Sequence, residues 1–301
     1  MNLNLLVTGS SGLIGAAVCE RASALGWRVV RVVRTNDRNQ PRVGAVWAQD
    51  TGRMDLSCAG PLDAVVHLAG ETIAQRWTAA AKRRIRESRI SGTRALGEAL
   101  RGLALPPRTI LCASASGYYG DRGHEWIDER SSAGRGFLSE VCQEWEDTAR
   151  REFPGDSRLV FLRFGIVLTN RGGALARMLP VFRLGLAGRL GDGSQYWSWV
   201  TLRDLVRIVE RALTDGSWAG PINVVSPNPV TNAEFTQTLG QVLGRPTVLA
   251  LPRAAVGLML GEMGREALLS STRVRPGRLM EAAFPYEDSE LEGALRACVA
   301  R

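Results

Sequence analysis

The sequence predicts an α/β protein in which a doubly wound parallel sheet is followed by a smaller C-terminal α/β lobe. Three observations lead to this prediction. Short apolar runs alternate with amphipathic segments up to residue 167, which is typical of successive βαβ units. A glycine-rich turn joins the first apolar run to the first amphipathic segment. Beyond residue 167 the pattern changes to short segments separated by glycines and then to mainly helical stretches, which indicates a second lobe.

The first strand and the first helix meet at a turn that contains Gly9, Gly12 and Gly15. The strand is apolar over residues 3–7, and the helix follows over residues 16–25. Glycines at such a junction let a pyrophosphate approach the free N–H groups of the helix N-terminus, where the helix dipole adds positive charge. Strand, turn and helix together predict a Rossmann-type dinucleotide site, with a tight turn that binds nothing as the alternative.

The second strand, predicted over residues 27–34, ends at Arg34, and a polar turn follows over residues 35–41. In a dinucleotide-binding fold the end of this strand faces the ribose of the adenosine. An acidic residue there selects NAD, whereas an arginine suits the 2′-phosphate of NADP. The nearest acidic residue, Asp37, lies further out, so the sequence favours NADP. A solvated surface arginine is the alternative.

The following elements continue the alternation of strands and helices. The fourth strand, over residues 62–70, is apolar on both faces and ends in small residues, where the second ribose of a dinucleotide could approach. His67 lies inside this strand and is predicted to pack in the core rather than to act as a catalyst. The remaining strands of this part are predicted over residues 43–47, 108–113 and 159–167, and its helices over residues 78–100 and 137–151.

The nucleotide-binding domain is predicted to cover residues 1–167, and residues 201–225 return to it with a helix and a strand. Residues 168–200 and 226–301 form the predicted substrate-side lobe. Asn232 is the expected N-cap of a helix in that lobe.

An aromatic stretch in the lobe has two interpretations. Trp197 and Trp199 alternate around Ser198, so a strand would place both indoles on one side. With Gln195 they would form a wall of a substrate pocket for a flat or sugar-like ligand, or else they would pack in the core.

The composition is that of an ordinary globular protein, because 45% of the 301 residues are hydrophobic and 23% are charged. No apolar run is long enough to span a bilayer, and the first strand begins by Leu3, which leaves no room for a signal peptide. We therefore expect a cytoplasmic protein without a membrane partner. The five cysteines form no Cys-x-x-Cys pair and there are two histidines, so reduced thiols and no metal site are expected.

The formal net charge of +8 comes from arginine, since Lys82 is the only lysine. An arginine excess indicates attraction to anionic ligands such as nucleotide phosphates, and a compositional bias is the alternative. No basic tail or nucleic-acid-binding motif accompanies the charge, so nucleic acid is not an expected partner.

Short motifs spread over nearly the whole chain match a known family. The most specific are His67-Leu68-Ala69-Gly70-Glu71 and Val230-Thr231-Asn232-Ala233-Glu234-Phe235. The other matching stretches are residues 7–15, 76–77, 88–89, 92–93, 114–120, 163–168 and 195–200. With these motifs the chain resembles the extended, or atypical, short-chain dehydrogenase/reductase superfamily. More narrowly, it resembles the epimerase-family proteins with a distinctive C-terminal domain, often labelled nucleoside-diphosphate-sugar epimerases, which include a mammalian epimerase-like NADP-binding protein.

The resemblance implies that the N-terminal domain binds NADP(H) and that the C-terminal lobe covers the cofactor cleft. It also implies a small-molecule substrate, such as a nucleotide sugar or another carbonyl compound, and a homodimer that pairs through the long helices. The implied cofactor contacts are Thr8, Gly9, Ser11, Gly12, Leu13, Ile14 and Gly15 in the turn, Arg34 after the second strand, Leu68, Ala69, Gly70 and Glu71 after the fourth strand, and Arg89 on the long helix.

The chain lacks the usual catalytic pair of this superfamily. Most members move a proton with a Tyr-x-x-x-Lys pair, in which the lysine lowers the pKa of the tyrosine. None of the four tyrosines in this chain is followed by a lysine at that spacing. In the predicted helix over residues 137–151, Leu138 and Cys142 stand at the two positions.

Three functions are compatible with these residues. The first is an NADP(H)-dependent oxidoreductase or epimerase-like enzyme with a substitute acid. In that case Ser114 would hydrogen-bond a substrate carbonyl and Tyr118 or Tyr119 would supply the proton, with Arg122 beside Tyr118 in place of the lysine. The second is an NADP(H)-binding module with little or no turnover that responds to redox state. The third is an interaction protein that keeps the nucleotide for stability.

Overall fold

The computed structural model describes residues 2–35, 45–48 and 52–300, and it confirms the predicted α/β fold. The strands are β1 Asn4–Thr8, β2 Arg28–Thr35, β3 Ala45–Ala48, β4 Arg53–Asp55, β5 Ala64–His67, β6 Thr109–Ala115, β7 Trp126–Ile127, β8 Arg158–Phe164, β9 Ile166–Leu168, β10 Tyr196–Trp197, β11 Trp199–Thr201, β12 Gly220–Val224, β13 Val230–Thr231 and β14 Arg273–Val274. The helices are α1 Leu13–Ala24, α2 Ala79–Arg101, α3 Phe137–Glu152, α4 Gly173–Arg183, α5 Leu202–Thr214, α6 Asn232–Leu243, α7 Arg253–Leu268, α8 Gly277–Glu281 and α9 Leu291–Val299. Within these described ranges no helix is both long enough and apolar enough for a bilayer crossing.

The main sheet has the strand order β12-β8-β6-β5-β1-β2-β3-β4. All neighbouring strands run parallel except β3 and β4. The chain extends the sheet from β1 first to β2 and β3 on one side, and later to β5 and β6 on the other. The strand order therefore reverses beside β1, and the carboxyl ends of β1, β2 and β5 border the crevice in which such sheets bind nucleotides.

Helices cover both faces of the sheet, as its apolar central strands predict. Val7 and Val66 pack against α1 and α5 on one face. Their chain neighbours Leu6 and Val65 pack against α2 and α3 on the other face. Adjacent residues of a strand point to opposite faces, so a central strand that is covered on both faces is apolar along most of its length. Each buried side chain of this size contributes roughly 1.5–3 kcal/mol of transfer free energy.

The strand predicted over residues 159–167 is two strands. β8 ends at Phe164, whereas β9 begins at Ile166 and pairs with β11 outside the main sheet. Between them, a Cβ atom at Gly165 would lie 2.6 Å from the carbonyl oxygen of Ser198. Glycine is therefore required where the chain leaves the sheet, and the apolar run alone did not predict this break.

Outside the main sheet the chain forms short ribbons, and the ribbons β10–β13 and β9–β11 enclose a separate apolar cluster together with helices. β10 pairs with β13, β9 with β11 and β7 with β14. Leu175 and Leu179 of α4, Phe235 of α6 and the two tryptophans at residues 197 and 199 meet in the cluster. The chain then returns to the main sheet with β12, which pairs with β8 at its edge.

The start of α6 differs by one residue from the prediction. Thr231 is the N-cap, because its hydroxyl accepts from the N–H of Glu234 while the Glu234 carboxylate accepts from the N–H of Thr231. Asn232, the predicted N-cap, is the first helical residue, and its Oδ1 accepts from the N–H of Leu190.

The C-terminal segment is held to the main sheet through a buried carboxylate at the start of α5. Asp204 accepts from the N–H groups of Glu287 and Asp288, at 3.0 and 2.9 Å, and from Arg207 at 2.8 Å. A buried carboxylate with these partners is satisfied, so Asp204 acts here as a structural link.

Candidate functional site

The glycine turn forms an open helix N-terminus at the carboxyl end of β1. Gly9 has φ +66°, and a Cβ atom at Gly15 would lie 2.2 Å from the carbonyl oxygen of Gly9. The two glycines therefore let the turn close on itself. Gly12 is the N-cap of α1 and provides no side-chain cap, and the first turn of α1 has no acidic residue. The N–H groups of that turn are therefore available to a phosphate.

Only some of the other predicted residues of this turn are accessible to a bound nucleotide. Ser11 and Gly12 are exposed, and Leu13 and Ile14 are half-buried. Thr8 is buried beneath them.

Thr8 joins the end of β1 to the end of β5. Its hydroxyl oxygen accepts from the N–H groups of Leu68 and Ala69, at 3.1 and 3.2 Å, and lies 2.7 Å from Nδ1 of His67. Both acceptor positions of the hydroxyl are thus occupied, so its proton is donated to Nδ1. The predicted contact residues Thr8, Leu68 and Ala69 are brought together at the crevice.

His67 is a core residue, as predicted. Its Nε2 lies 3.0 Å from the hydroxyl of Thr93, which accepts from the Trp145 indole N–H and donates to the Arg89 carbonyl. Since Thr93 has one acceptor position left, Nε2 of His67 carries the proton and donates. Complete burial, with Arg89 nearby, lowers the pKa of His67 to about 4. The imidazole is therefore neutral and connects the turn to α2 and α3.

Arg89 supports the loop after β5 from behind. Its Nη1 donates to the carbonyls of Glu71 and Ile85, both at 3.0 Å, and burial lowers the pKa of its guanidinium. A Cβ atom at Gly70 would lie 3.1 Å from the Arg89 guanidinium carbon. Glu71 is fixed further by its N–H, which donates to Ser88 at 2.9 Å. The predicted residues Gly70, Glu71 and Arg89 therefore lie in one contiguous group.

Arg34 is exposed near the carboxyl end of β2, in register with Trp47 of β3. No carboxylate in the described part of the chain pairs with it. Residues 36–44, which include Asp37 and most of the predicted turn, lie outside the described residues.

Ser114 and Tyr119 belong to a buried polar network around Glu146. Ser114 is buried, with 3% of its surface exposed. Its hydroxyl donates to Glu146 at 2.8 Å. Arg163 donates to the same carboxylate through Nε and Nη2, both at 2.9 Å. The Tyr119 hydroxyl accepts from Arg163 and donates to Asn223, and burial raises its pKa to about 12. Neither hydroxyl proton is available to a ligand in this arrangement.

Tyr118 is the half-buried member of the three candidate catalytic residues. The Arg163 guanidinium carbon lies 3.5 Å from the centre of its ring. Arg122, which was expected beside Tyr118, instead forms a two-pronged ion pair with Glu125, both contacts at 2.9 Å. The expectation of a Tyr118–Arg122 pair is therefore wrong. The arginine that contacts the Tyr118 ring is Arg163 of β8, which is distant in sequence.

The two positions of the missing pair lie on α3 without acid–base groups. Leu138 packs near Gly117, where an added Cβ atom would lie 3.2 Å from the Leu138 Cβ. Cys142 is buried, and burial raises the pKa of its thiol to about 11. Because a thiol with this pKa is neutral at pH 7, it does not replace the charge of a lysine.

A carboxylate from α7 caps α3. The two oxygens of Glu266 accept from the N–H groups of Phe137 and Leu138, at 3.1 and 3.0 Å. One helical turn earlier, Glu262 pairs with Lys82 of α2 at 2.7 Å. The helix of the C-terminal part thereby closes over the start of α3.

The aromatic stretch lies in the core, so the interpretation as a pocket wall is wrong and core packing is correct. Trp197, Trp199 and Gln195 are each less than 5% exposed. The indole N–H groups of Trp197 and Trp199 donate to backbone carbonyls, as does the Gln195 amide. Their N–H donors are all used inside the protein, and the remaining polar atom, Oε1 of Gln195, is buried without a partner. Burial of all three side chains leaves no surface for a ligand.

The sequence prediction missed the residues that complete the buried network: Glu146, Arg163 and Asn223. Arg163 carried a signal, since it interrupts an apolar strand. Its partners come from a helix and from another strand, which periodicity cannot identify.

Comparison with known proteins gives two matches to family models. Residues 5–224 match the NAD dependent epimerase/dehydratase family, and residues 251–298 match a domain of unknown function, DUF1731. An epimerase family protein of Mycobacterium bovis is 40% identical over 295 residues, which are 98% of this chain and 97% of that protein. The human epimerase family protein SDR39U1 is 36% identical over 304 residues, which are 99% of this chain and 100% of that protein.

Two solved structures are similar over almost the whole chain. The crystal structure of human SDR39U1 (isoform 2) with NADPH has a TM-score of 0.88 and 33% identity, and the match covers 99% of both chains. The nucleoside-diphosphate sugar epimerase from Corynebacterium glutamicum has a TM-score of 0.79 and 31% identity, over 99% of this chain and 58% of that one.

Proposed function

The chain belongs to the NAD dependent epimerase/dehydratase family, and on that premise we propose that it is an NADP(H)-dependent oxidoreductase or epimerase-like enzyme without a Tyr-x-x-x-Lys pair. The observation that carries the proposal is the exposed Arg34 near the carboxyl end of β2, which pairs with no carboxylate of the described residues. β2 lies beside β1, which leads into the uncapped N-terminus of α1. These two features suit the 2′-phosphate and the pyrophosphate of one nucleotide. The similar human protein crystallised with NADPH supports the choice of nucleotide.

The residues would hold the cofactor along the carboxyl edge of the sheet. The α1 N–H groups would bind the pyrophosphate, with Ser11, Leu13 and Ile14 around it, and the loop 68–71 would border the second ribose. Arg89 would keep this loop in place through its bond to the Glu71 carbonyl. Bound NADP(H) supplies or accepts a hydride at its nicotinamide.

We assign the proton-transfer role to Tyr118, because the other two hydroxyl groups already donate hydrogen bonds inside the protein. Tyr119 donates to Asn223, and Ser114 donates to Glu146. Ser114 then offers only oxygen lone pairs and would accept a hydrogen bond from a substrate hydroxyl. Arg163, 3.5 Å from the Tyr118 ring centre, would hold that ring in position.

The nucleotide-binding part would comprise residues 1–167 and 201–225, and the substrate-side part residues 168–200 and 226–301. A nucleotide sugar is the proposed substrate class, with support from the similar protein that is named a nucleoside-diphosphate sugar epimerase. Other carbonyl compounds belong in the same assay panel.

The nucleotide proposal is tested by titration of NADPH against the wild type and Arg34→Glu. We expect at least about tenfold weaker binding, ~1.4 kcal/mol, because a repulsive charge replaces the partner of the 2′-phosphate. Arg31→Glu is the matched control, since it makes the same charge change on an exposed residue of β2 further from the strand end. Equal NADPH affinity of Arg34→Glu and the wild type would overturn the assignment.

Turnover is tested with NADPH and NADP⁺ against a panel of nucleotide sugars and carbonyl compounds. An enzyme should lose turnover in Tyr118→Phe while its NADPH affinity stays the same. The second candidate function, a binding module, is favoured by Leu138 and Cys142 at the positions of the missing pair. It predicts NADPH binding without turnover on any member of the panel.

A further inference from the structure

Arg273 lies between two aromatic rings on the ribbon formed by β7 and β14. Its guanidinium carbon is 4.0 Å from the ring centre of Trp126 and 4.4 Å from that of Tyr196. Two rings at these distances cannot occupy the same side, so they pack against the guanidinium from different sides. The guanidinium also carries Nη donors that can bond to an anion.

Arg273 has no anionic partner within the described ranges, and its buried Nε makes no hydrogen bond. This distinguishes it from Arg163 and Arg203, whose guanidinium groups each donate to carboxylates. A buried donor without a partner costs free energy, and native structures usually satisfy such a group or use it.

The acidic residues near Arg273 are already engaged. Glu125 pairs with Arg122 at 2.9 Å, and Asp128 lies 3.6 Å from Arg275. Asp121 accepts from the N–H groups at residues 123 and 271. An oxyanion from outside the protein would therefore find Arg273 without a competing internal carboxylate.

The site is separate from the network around Tyr119. Ile127 and Val274 are buried against Tyr119, and they follow Trp126 and Arg273 directly in the two paired strands. Because adjacent strand residues face opposite sides, Trp126 and Arg273 lie on the other face of the ribbon. Trp126 is 48% exposed, so this face is open to solvent.

Hydrogen bonds hold the backbone that carries the second ring. The N–H of Tyr196 donates to the Ser271 hydroxyl at 3.0 Å, and the N–H of Thr272 donates to the Tyr196 carbonyl at 3.0 Å. Tyr196 is thus fixed to the strand that carries Arg273. Because the guanidinium is already packed between two rings, binding of a ligand would cost little additional side-chain entropy at Arg273.

We propose that Arg273, with Trp126 and Tyr196, forms a binding site for the oxyanion of a small organic molecule, either a phosphate or a carboxylate. Two oxygens of the anion bond to two N–H groups of the guanidinium, as carboxylates and phosphates do with arginine. The exposed part of Trp126 contacts the organic group that carries the anion. This site goes beyond the nucleotide and substrate positions of the proposed function.

The test uses the full chain with ¹⁵N-labelled arginine. The Nε–Hε signal of Arg273 is the one that disappears in Arg273→Lys. Inorganic phosphate and acetate are titrated separately against the wild type at constant ionic strength, with chloride as the reference. We expect a saturable shift of this signal that chloride does not produce, and the tighter of the two probes identifies the anion class.

Two variants test which residues contribute to the affinity for the anion. Trp126→Ala should weaken binding about fivefold or more, because it removes one of the two rings that hold the guanidinium. Arg275→Gln should change it by less than about twofold, since a neighbouring exposed arginine contributes only screened charge. A shift that does not saturate, an equal shift with chloride, or an equal loss in both variants would overturn the proposal. The signal reports on Arg273 itself, so these outcomes do not depend on NADPH binding.

Discussion

Lowering the pH from 7 to 5 is predicted to destabilise the folded protein through His67. The imidazole is wholly buried and neutral, with a pKa of about 4 that burial sets well below the ordinary value of 6.5. His67 of the unfolded chain is therefore protonated below pH 6.5, whereas His67 of the folded protein stays neutral down to about pH 4. The contribution of His67 is complete above pH 6.5 and is lost as the pH falls toward 4.

The size of the effect follows from the two pKa values. A difference of one pH unit in pKa corresponds to about 1.4 kcal/mol. A folded-state pKa of about 4 against 6.5 for the unfolded chain then amounts to about 3 kcal/mol in total. About 2 kcal/mol of this free energy of unfolding is lost between pH 7 and pH 5.

The measurement is urea unfolding of the wild type and His67→Gln at pH 7, 6 and 5. Glutamine keeps a donor for Thr93 but does not titrate. The free energy of unfolding of the wild type should fall by about 2 kcal/mol relative to this variant. His124→Gln is the control, because His124 is exposed and is the only other histidine. The reasoning is refuted if the wild type and His67→Gln lose stability in parallel.

Two further predictions concern helix α3. Glu266→Gln should lower the free energy of unfolding by about 1 kcal/mol, because the charged cap of the helix is lost; Glu262→Gln, which removes a partly exposed ion pair, should cost less than about 0.5 kcal/mol. Equal effects in urea unfolding would contradict the capping role. Glu146→Ala should cost about 3–5 kcal/mol because it leaves Arg163 charged and buried without its partner. Glu140→Ala on the exposed side of the same helix should cost less than about 1 kcal/mol, and a similar loss in both variants would argue against the buried pair.

The glycine turn and its strand were predictable because the determining contacts are local. The carbonyl of Gly9 and the space at Gly15 lie within one strand–turn–helix unit, and their spacing is visible in the sequence. The apolar character of β1 and β5 likewise reflects burial on both faces. Leu68 and Ala69, which the family resemblance and not the local pattern implied as contacts, bond through their N–H groups to Thr8 beside the turn.

The buried network could not be predicted because its members meet only in the folded chain. Arg163 of β8 reaches Glu146 of α3, and the same guanidinium covers Tyr118. From the sequence, Arg122 was the nearer cation and therefore the expected partner. Periodicity correctly put Trp197 and Trp199 on one side of the chain, but it cannot say whether that side faces a cleft or a core.

The late return of the chain to β12 has a consequence for synthesis. When residues 1–164 have left the ribosome, β8 is a bare sheet edge, and the apolar face that α5 later covers is exposed. The face stays exposed until α5 is complete at Thr214, about fifty residues later, and the edge until β12 is complete at Val224, about sixty residues later. A nascent chain in this state presents the surfaces that chaperones bind, and a fragment cut at Gly165 would present them permanently.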